Sequence, residues 1–157
     1  MKTNLRWLIV TLIAVVIAPT AKGQGKNPFV GTWKANLSKS QRDPNHLFKS
    51  VTLRIDIFDD AVSITYTGVN MSGTEESGTS KVHPDGKEHP IAEAPGFVEV
   101  SRWIGPRLLE TVGKKDGKVL GQSTYEISSD GNTLTAKIKG VDASGSTFEQ
   151  VIVFDRE

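Results

Sequence analysis

Val62-Ser63-Ile64-Thr65-Tyr66-Thr67-Gly68-Val69-Asn70-Met71-Ser72-Gly73-Thr74 returns 72 residues later as Leu134-Thr135-Ala136-Lys137-Ile138-Lys139-Gly140-Val141-Asp142-Ala143-Ser144-Gly145-Ser146. In each copy apolar and polar side chains alternate, then a short stretch rich in Gly, Ser and Asn or Asp follows, then a second polar run begins. That order is strand, tight turn, strand. One hairpin is therefore used in both halves of the chain, and the chain reads as a β meander.

The same reading extends outward. Val51, Leu53, Ile55 and Ile57 alternate with Thr52, Arg54 and Asp56, the period of a half-buried strand, and Asp59-Asp60 turns that strand into Val62, Ile64 and Tyr66. Thr74 to Val82 is a polar strand. Pro84-Asp85-Gly86-Lys87 reads as a turn, and His89-Pro90-Ile91 runs into the loop Ala94-Pro95-Gly96. Phe97 to Ile104, Arg107 to Val112, Lys118 to Ile127, Thr133 to Lys139 and Thr147 to Arg156 complete the run. The predicted fold class is all-β: a single up-and-down antiparallel β-barrel of about ten strands, whose closure would leave no strand edge unpaired. Asn36 to Leu47 is the one stretch with helical signals, interrupted by Pro44; it predicts a loop with one helical turn lying over an open end of the barrel.

The beginning of the chain has the composition of an export signal. Lys2 and Arg6 precede an apolar run of 12 residues from Trp7 to Ala18, too short to span a bilayer, and Ala21-Lys22-Gly23 offers the small residues of a cleavage site. The expected division is a signal peptide over 1–23, cut before Gln24, and one barrel domain over 24–157. The expected location is periplasmic or extracellular, with no integral membrane segment after cleavage. Removing three of the 19 basic residues with the signal leaves 16 against 18 acidic ones, a net charge of −2, so no basic field remains for nucleic acid. There is no cysteine, which makes stability a matter of burial and strand pairing.

Phe29-Val30-Gly31-Thr32-Trp33 at the first strand resembles the Gly-x-Trp signature of the lipocalin and fatty-acid-binding (calycin) superfamily. Together with Trp33-Lys34-Ala35-Asn36-Leu37-Ser38-Lys39-Ser40, Asp85-Gly86-Lys87-Glu88-His89-Pro90-Ile91 and Lys114-Lys115-Asp116-Gly117-Lys118-Val119, it is similar to a group of secreted bacterial lipocalin-like proteins. The resemblance implies a barrel that holds a hydrophobic ligand. It also implies that Trp33 closes the barrel floor beneath a basic side chain from a late strand, Arg156 or Lys139. The Arg-x-Tyr pair with which fatty-acid-binding proteins hold a carboxylate has no match in Phe154-Asp155-Arg156-Glu157, which leaves a fatty acid unsupported.

Candidate ligand contacts follow from alternation. Between Phe97 and Ile104, one face carries Val98, Val100, Arg102 and Ile104, the other Phe97, Glu99, Ser101 and Trp103. With the aliphatic face inward, Arg102 points into the barrel, where an isolated guanidinium requires an anion or a carboxylate, and it becomes the first candidate. The alternatives are an internal pair with Glu110 across the Pro106 turn, or outward placement with Trp103 on the inner face. Tyr66 and Tyr125 lie on apolar faces and would bring hydroxyls inside, as ligand contacts or as ordinary core residues. Trp103, near a rim, is the fourth candidate.

Catalytic and metal signals are weak. His83 and His89 lie six apart with Glu88 between them, but Pro84, Gly86 and Pro90 make the region a turn, and only two histidines are near each other where a metal needs three or four converging ligands. No cysteine nucleophile or Gly-x-Ser-x-Gly elbow is present, so neither a metal, a cofactor nor an enzymatic activity is expected. The expected function is carriage of a small, largely apolar ligand in the barrel interior. The alternative is a barrel with a filled core that acts through its outer surface in the envelope or in stress. The residues do not specify an oligomeric state.

Overall fold

The computed structural model describes residues 27–92 and 94–157; the expected signal peptide lies outside them. Ten antiparallel strands follow one another: β1 (Gly31–Ala35), β2 (Phe48–Phe58), β3 (Ala61–Asn70), β4 (Glu75–Val82), β5 (Asp85–Pro90), β6 (Phe97–Gly105), β7 (Leu108–Lys115), β8 (Lys118–Ile127), β9 (Thr133–Val141) and β10 (Thr147–Arg156). Every consecutive pair except β4 and β5 is hydrogen-bonded, and β1 also pairs with β10, so the order across the sheet is β4-β3-β2-β1-β10-β9-β8-β7-β6-β5. The sheet curls until its inner face encloses a single core. The expected all-β, ten-stranded up-and-down barrel is the observed fold.

Two features differ from expectation. The stretch from Asp85 to Pro90, expected as a turn and loop, is an edge strand with an irregularity between Asp85 and Glu88. An edge accommodates Pro90, whose missing N–H faces away from the ladder, and Gly86 with φ of 77°. The barrel is also not sealed by backbone pairing: β4 and β5 are joined through His83 and Pro84 and do not pair with each other. Their charged side chains and Pro90 suit exposed edges.

The repeated hairpins form β3–β4 and β9–β10 and close with the same bonds. Gly73 N donates to Asn70 O (3.1 Å) as Gly145 N does to Asp142 O (3.0 Å). Thr74 N donates to Asn70 Oδ1 as Ser146 N does to Asp142 Oδ1, both at 3.0 Å. Gly73 and Gly145 take positive φ, 92° and 84°. The recurrence in sequence is thus a recurrence of geometry.

At one end the barrel is floored by Phe29, Trp33, Leu109, Ile127, Leu134 and Phe154, all buried. Trp33 Nε1 donates to Phe29 O (2.9 Å), and the Arg156 guanidinium lies 4.0 Å from the Trp33 ring centroid. Arg156, opposite Trp33 in the β1–β10 register, also donates to the carbonyls of Gly131 (2.7 Å), Val30 (3.0 Å) and Pro28 (2.6 Å). Of the two partners implied for Trp33, Arg156 is the one in place, while Lys139 lies on β9 opposite Glu149 and Gln122.

At the other end, the Asn36 to Leu47 segment does contain one short turn, a 3-10 helix over Leu37–Lys39 capped by the Asn36 side chain. It is tied down rather than free. Asn36 N donates to Val153 O, and Gln41 exchanges two backbone bonds with Val151, so the segment runs along β10. His46 then stacks on Phe148 with ring centroids 4.3 Å apart.

Candidate functional site

Above the floor the barrel contains a cavity of about 390 Å³ lined by residues from β2, β3, β4 and β6 to β10. That volume is within the roughly 300–1,000 Å³ of ordinary small-molecule sites. Its wall is asymmetric. Phe48, Val51 and Leu53 of β2, Ile64 of β3 and Val82 of β4 make an apolar side, continued by Ala136, Ile152 and Phe154. Facing them from β6, β7 and β8 come Glu99, Thr111 and Tyr125.

The strand register organises the polar side. Ser101 pairs with Thr111, Thr111 with Ser123, Ser123 with Ile138 and Ile138 with Gln150. Residues opposite one another in a ladder share a face, so these side chains form one transverse row on the inner wall, polar except at Ile138. Glu99 stands one step above it, between His89 of β5 and Gly113 of β7. A Cβ at Gly113 would meet nothing within 4 Å, so the carboxyl has open space at its side.

Glu99 is the only acidic residue that lines the cavity, and no Lys, Arg or His lines it among the described residues. Ser101, fully buried, donates to Glu99 Oε1 at 2.5 Å. Burial raises the Glu99 pKa above its ordinary value; the Ser101 hydrogen bond and the charges of His83 and His89 oppose that rise. The Tyr125 phenol is also raised, chiefly by burial, with the Ser123 hydroxyl opposing and the Glu99 charge adding to it. Gln150 Oε1 is buried without a hydrogen-bond partner. A polar atom in that condition is unusual, since buried acceptors are nearly always satisfied.

Of the four residues singled out from sequence, two reach the cavity. Tyr125 lies in the polar wall, and Tyr66 lies on the apolar side, 41 % exposed, with its ring over Gly78 of β4. Arg102 does not. The inward placement expected for it is corrected: β6 turns Glu99, Ser101 and Trp103 inward, and Arg102 is on the outer surface, its Nη2 2.6 Å and Nε 2.8 Å from Glu110 Oε1. Glu110 was the right partner on the other side of the wall. Trp103 faces inward but below the cavity, packed on Phe29 with ring centroids 5.0 Å apart, and belongs to the floor.

The phase of β6 was misleading because β-branched side chains suit either face of a strand, whereas the inner wall beside a cavity need not be apolar. One signal was available. Trp103, the bulkiest apolar side chain of the strand, shares its phase with Glu99 and Ser101.

His83 and His89 stack with ring centroids 4.5 Å apart, and His89 Nε2 lies 3.0 Å from Asp85 Oδ1. No group of three His, Cys, Asp or Glu side chains that could hold a metal occurs among the described residues. No helix among them is long and apolar enough to cross a membrane.

No protein-family model matches the sequence. The curated proteins contain no sequence match either. Solved structures do match the fold. The wild-type fluorescent protein UnaG is 22 % identical, with a TM-score of 0.56 over 82 % of this chain and 97 % of that one. A Schistosoma mansoni fatty acid binding protein solved with arachidonic acid is 12 % identical, with a TM-score of 0.54 over 83 % of this chain and 96 % of that one. The zebrafish ileal bile acid-binding protein with cholic acid is 18 % identical, with a TM-score of 0.50 over 83 % and 99 %. The chain thus shares with these structures the fold of an antiparallel up-and-down β-barrel.

Proposed function

We propose that this protein is a non-catalytic carrier that holds one small, largely apolar molecule inside the barrel. The observation that carries this reading is the cavity of about 390 Å³ with one apolar and one polar wall. A filled core acting through the outer surface, the other reading open from sequence, is disfavoured by that space. Neighbours of the same fold described as fatty acid and bile acid binding proteins support the reading by analogy of fold. The ligand's apolar body would lie on Phe48, Val51, Leu53 and Ile64, with Tyr66 at its edge and Tyr125 among the polar contacts. Export belongs to the same proposal, supported by the apolar run from Trp7 to Ala18 and by the resemblance to secreted bacterial lipocalin-like proteins.

Native mass spectrometry of protein purified from its own host tests both parts. The expected spectrum has the mass of residues 24–157 plus a co-purifying small molecule. Titration with the neutral dye Nile red should show saturable binding, weakened about tenfold by Thr111→Phe, which intrudes on the cavity. A wild-type protein that carries nothing and takes up no apolar dye overturns the carrier reading.

A further inference from the structure

We propose that the cavity selects apolar molecules bearing a cationic amine, with the Glu99 carboxylate as the charge partner of the ammonium group. The inference rests on the carrier reading and adds the chemical class of the ligand.

Three observations carry it. First, Glu99 is a carboxylate set in the wall of a largely apolar cavity, and among the described residues Ser101 alone gives it a hydrogen bond. Among the described residues, the positive charges that act on it are those of His83 and His89 at the barrel seam, which are present only when the imidazoles are protonated. A half-buried carboxylate is unfavourable without a cation, and a ligand ammonium would supply one. Second, the remaining polar groups of the wall can accept hydrogen bonds. The Gln150 Oε1 atom is a buried acceptor with no donor, and Thr111 and Tyr125 add hydroxyl oxygens. An ammonium has N–H groups to donate and no acceptor. Third, Arg102 is engaged outside by Glu110, so an anionic head group would meet Glu99 with no lining Lys or Arg among the described residues to offset the repulsion. The opposite apolar wall requires a hydrocarbon body. An alkyl or aryl amine satisfies both walls.

The test compares octylamine, octanol and octanoate, which differ only in head group, as competitors of Nile red at neutral pH, with direct calorimetry of octylamine in parallel. In the wild type, octylamine is expected to compete at least about tenfold better than octanol, with octanoate weakest. Glu99→Gln should bring octylamine to the level of octanol, the two compared in the same variant. Glu99→Asp, which keeps the charge, should retain the amine preference. Equal competition by amine and alcohol in the wild type, or an amine preference that survives Glu99→Gln, overturns the proposal while the carrier reading stands. Absence of both Nile red and octylamine binding overturns the two together. The wild-type comparison of head groups decides the matter even where a variant fails to fold.

Discussion

Gly31 shows how a short sequence signature can encode a packing requirement. Its φ is 149°, and a Cβ there would lie 2.7 Å from Arg156 Nη1. The end of a long side chain ordinarily moves aside, but this guanidinium is fixed by three carbonyls and the Trp33 ring. Gly31→Ala is therefore expected to destabilise the protein by roughly 1–3 kcal/mol in urea denaturation. Gly31→Ala combined with Arg156→Ala should be less destabilising than the sum of the singles, because the clash disappears with the arginine. Strict additivity would show that Arg156 does not constrain this glycine. The Gly-x-Trp pattern was legible in sequence because both of its residues answer to the same basic side chain. Arg102 was misread because an arginine in an aliphatic stretch looks the same on either face until the strand's phase is known.

At the scale of elements, the recurring hairpin made the meander legible, and its turn is where the repetition can be tested. Asn70 in one copy and Asp142 in the other accept the same backbone N–H bond, and Gly73 and Gly145 hold the positive φ. A side chain at Gly145 would meet nothing within 4 Å, so substitution there changes conformational energy alone. Gly145→Ala should lower stability by about 1 kcal/mol, and Gly145→Asn by less, since asparagine tolerates positive φ. Equal losses for the two in thermal unfolding would count against this account. Unlike Asn70, Asp142 titrates, and its pKa is held below the ordinary value, chiefly by the Ser144 hydroxyl. Its contribution to stability is full above the ordinary aspartate pKa and is lost as pH falls through the lower folded value. Asp142→Asn should remove that part of the acid dependence. The β5 strand escaped the sequence reading because Pro90 and Gly86 are turn residues everywhere except on an edge, and no local pattern announces that a strand will lie at an edge.

In the molecule as a whole, Glu99 of the cavity wall acts on stability in the sense opposite to the surface aspartates. The folded pKa of Glu99 is above its ordinary value, so the native state holds this proton more tightly than the unfolded chain does. The charged form is unfavourable at neutral pH, and that penalty fades as pH falls through the folded pKa toward the ordinary one. Glu99→Gln, which can still accept from Ser101, should make the ligand-free protein more stable than wild type at neutral pH. The advantage should shrink on acidification, as followed by urea midpoints. A difference that grows on acidification would mean that Glu99 is stabilised as an anion in the empty barrel. By itself the sequence determined the antiparallel meander, its reused hairpin and its single apolar core, because strand periodicity and turn chemistry are local properties, while the Trp33 floor was implied by the resemblance that Gly31 and Trp33 carry. Only the tertiary structure decided that β4 and β5 remain unpaired, that Arg102 lies outside, and that Glu99, Thr111, Tyr125 and Gln150 line one cavity. Alternation divides a strand into two faces, and the side that becomes the interior is set by how all ten strands close around the floor.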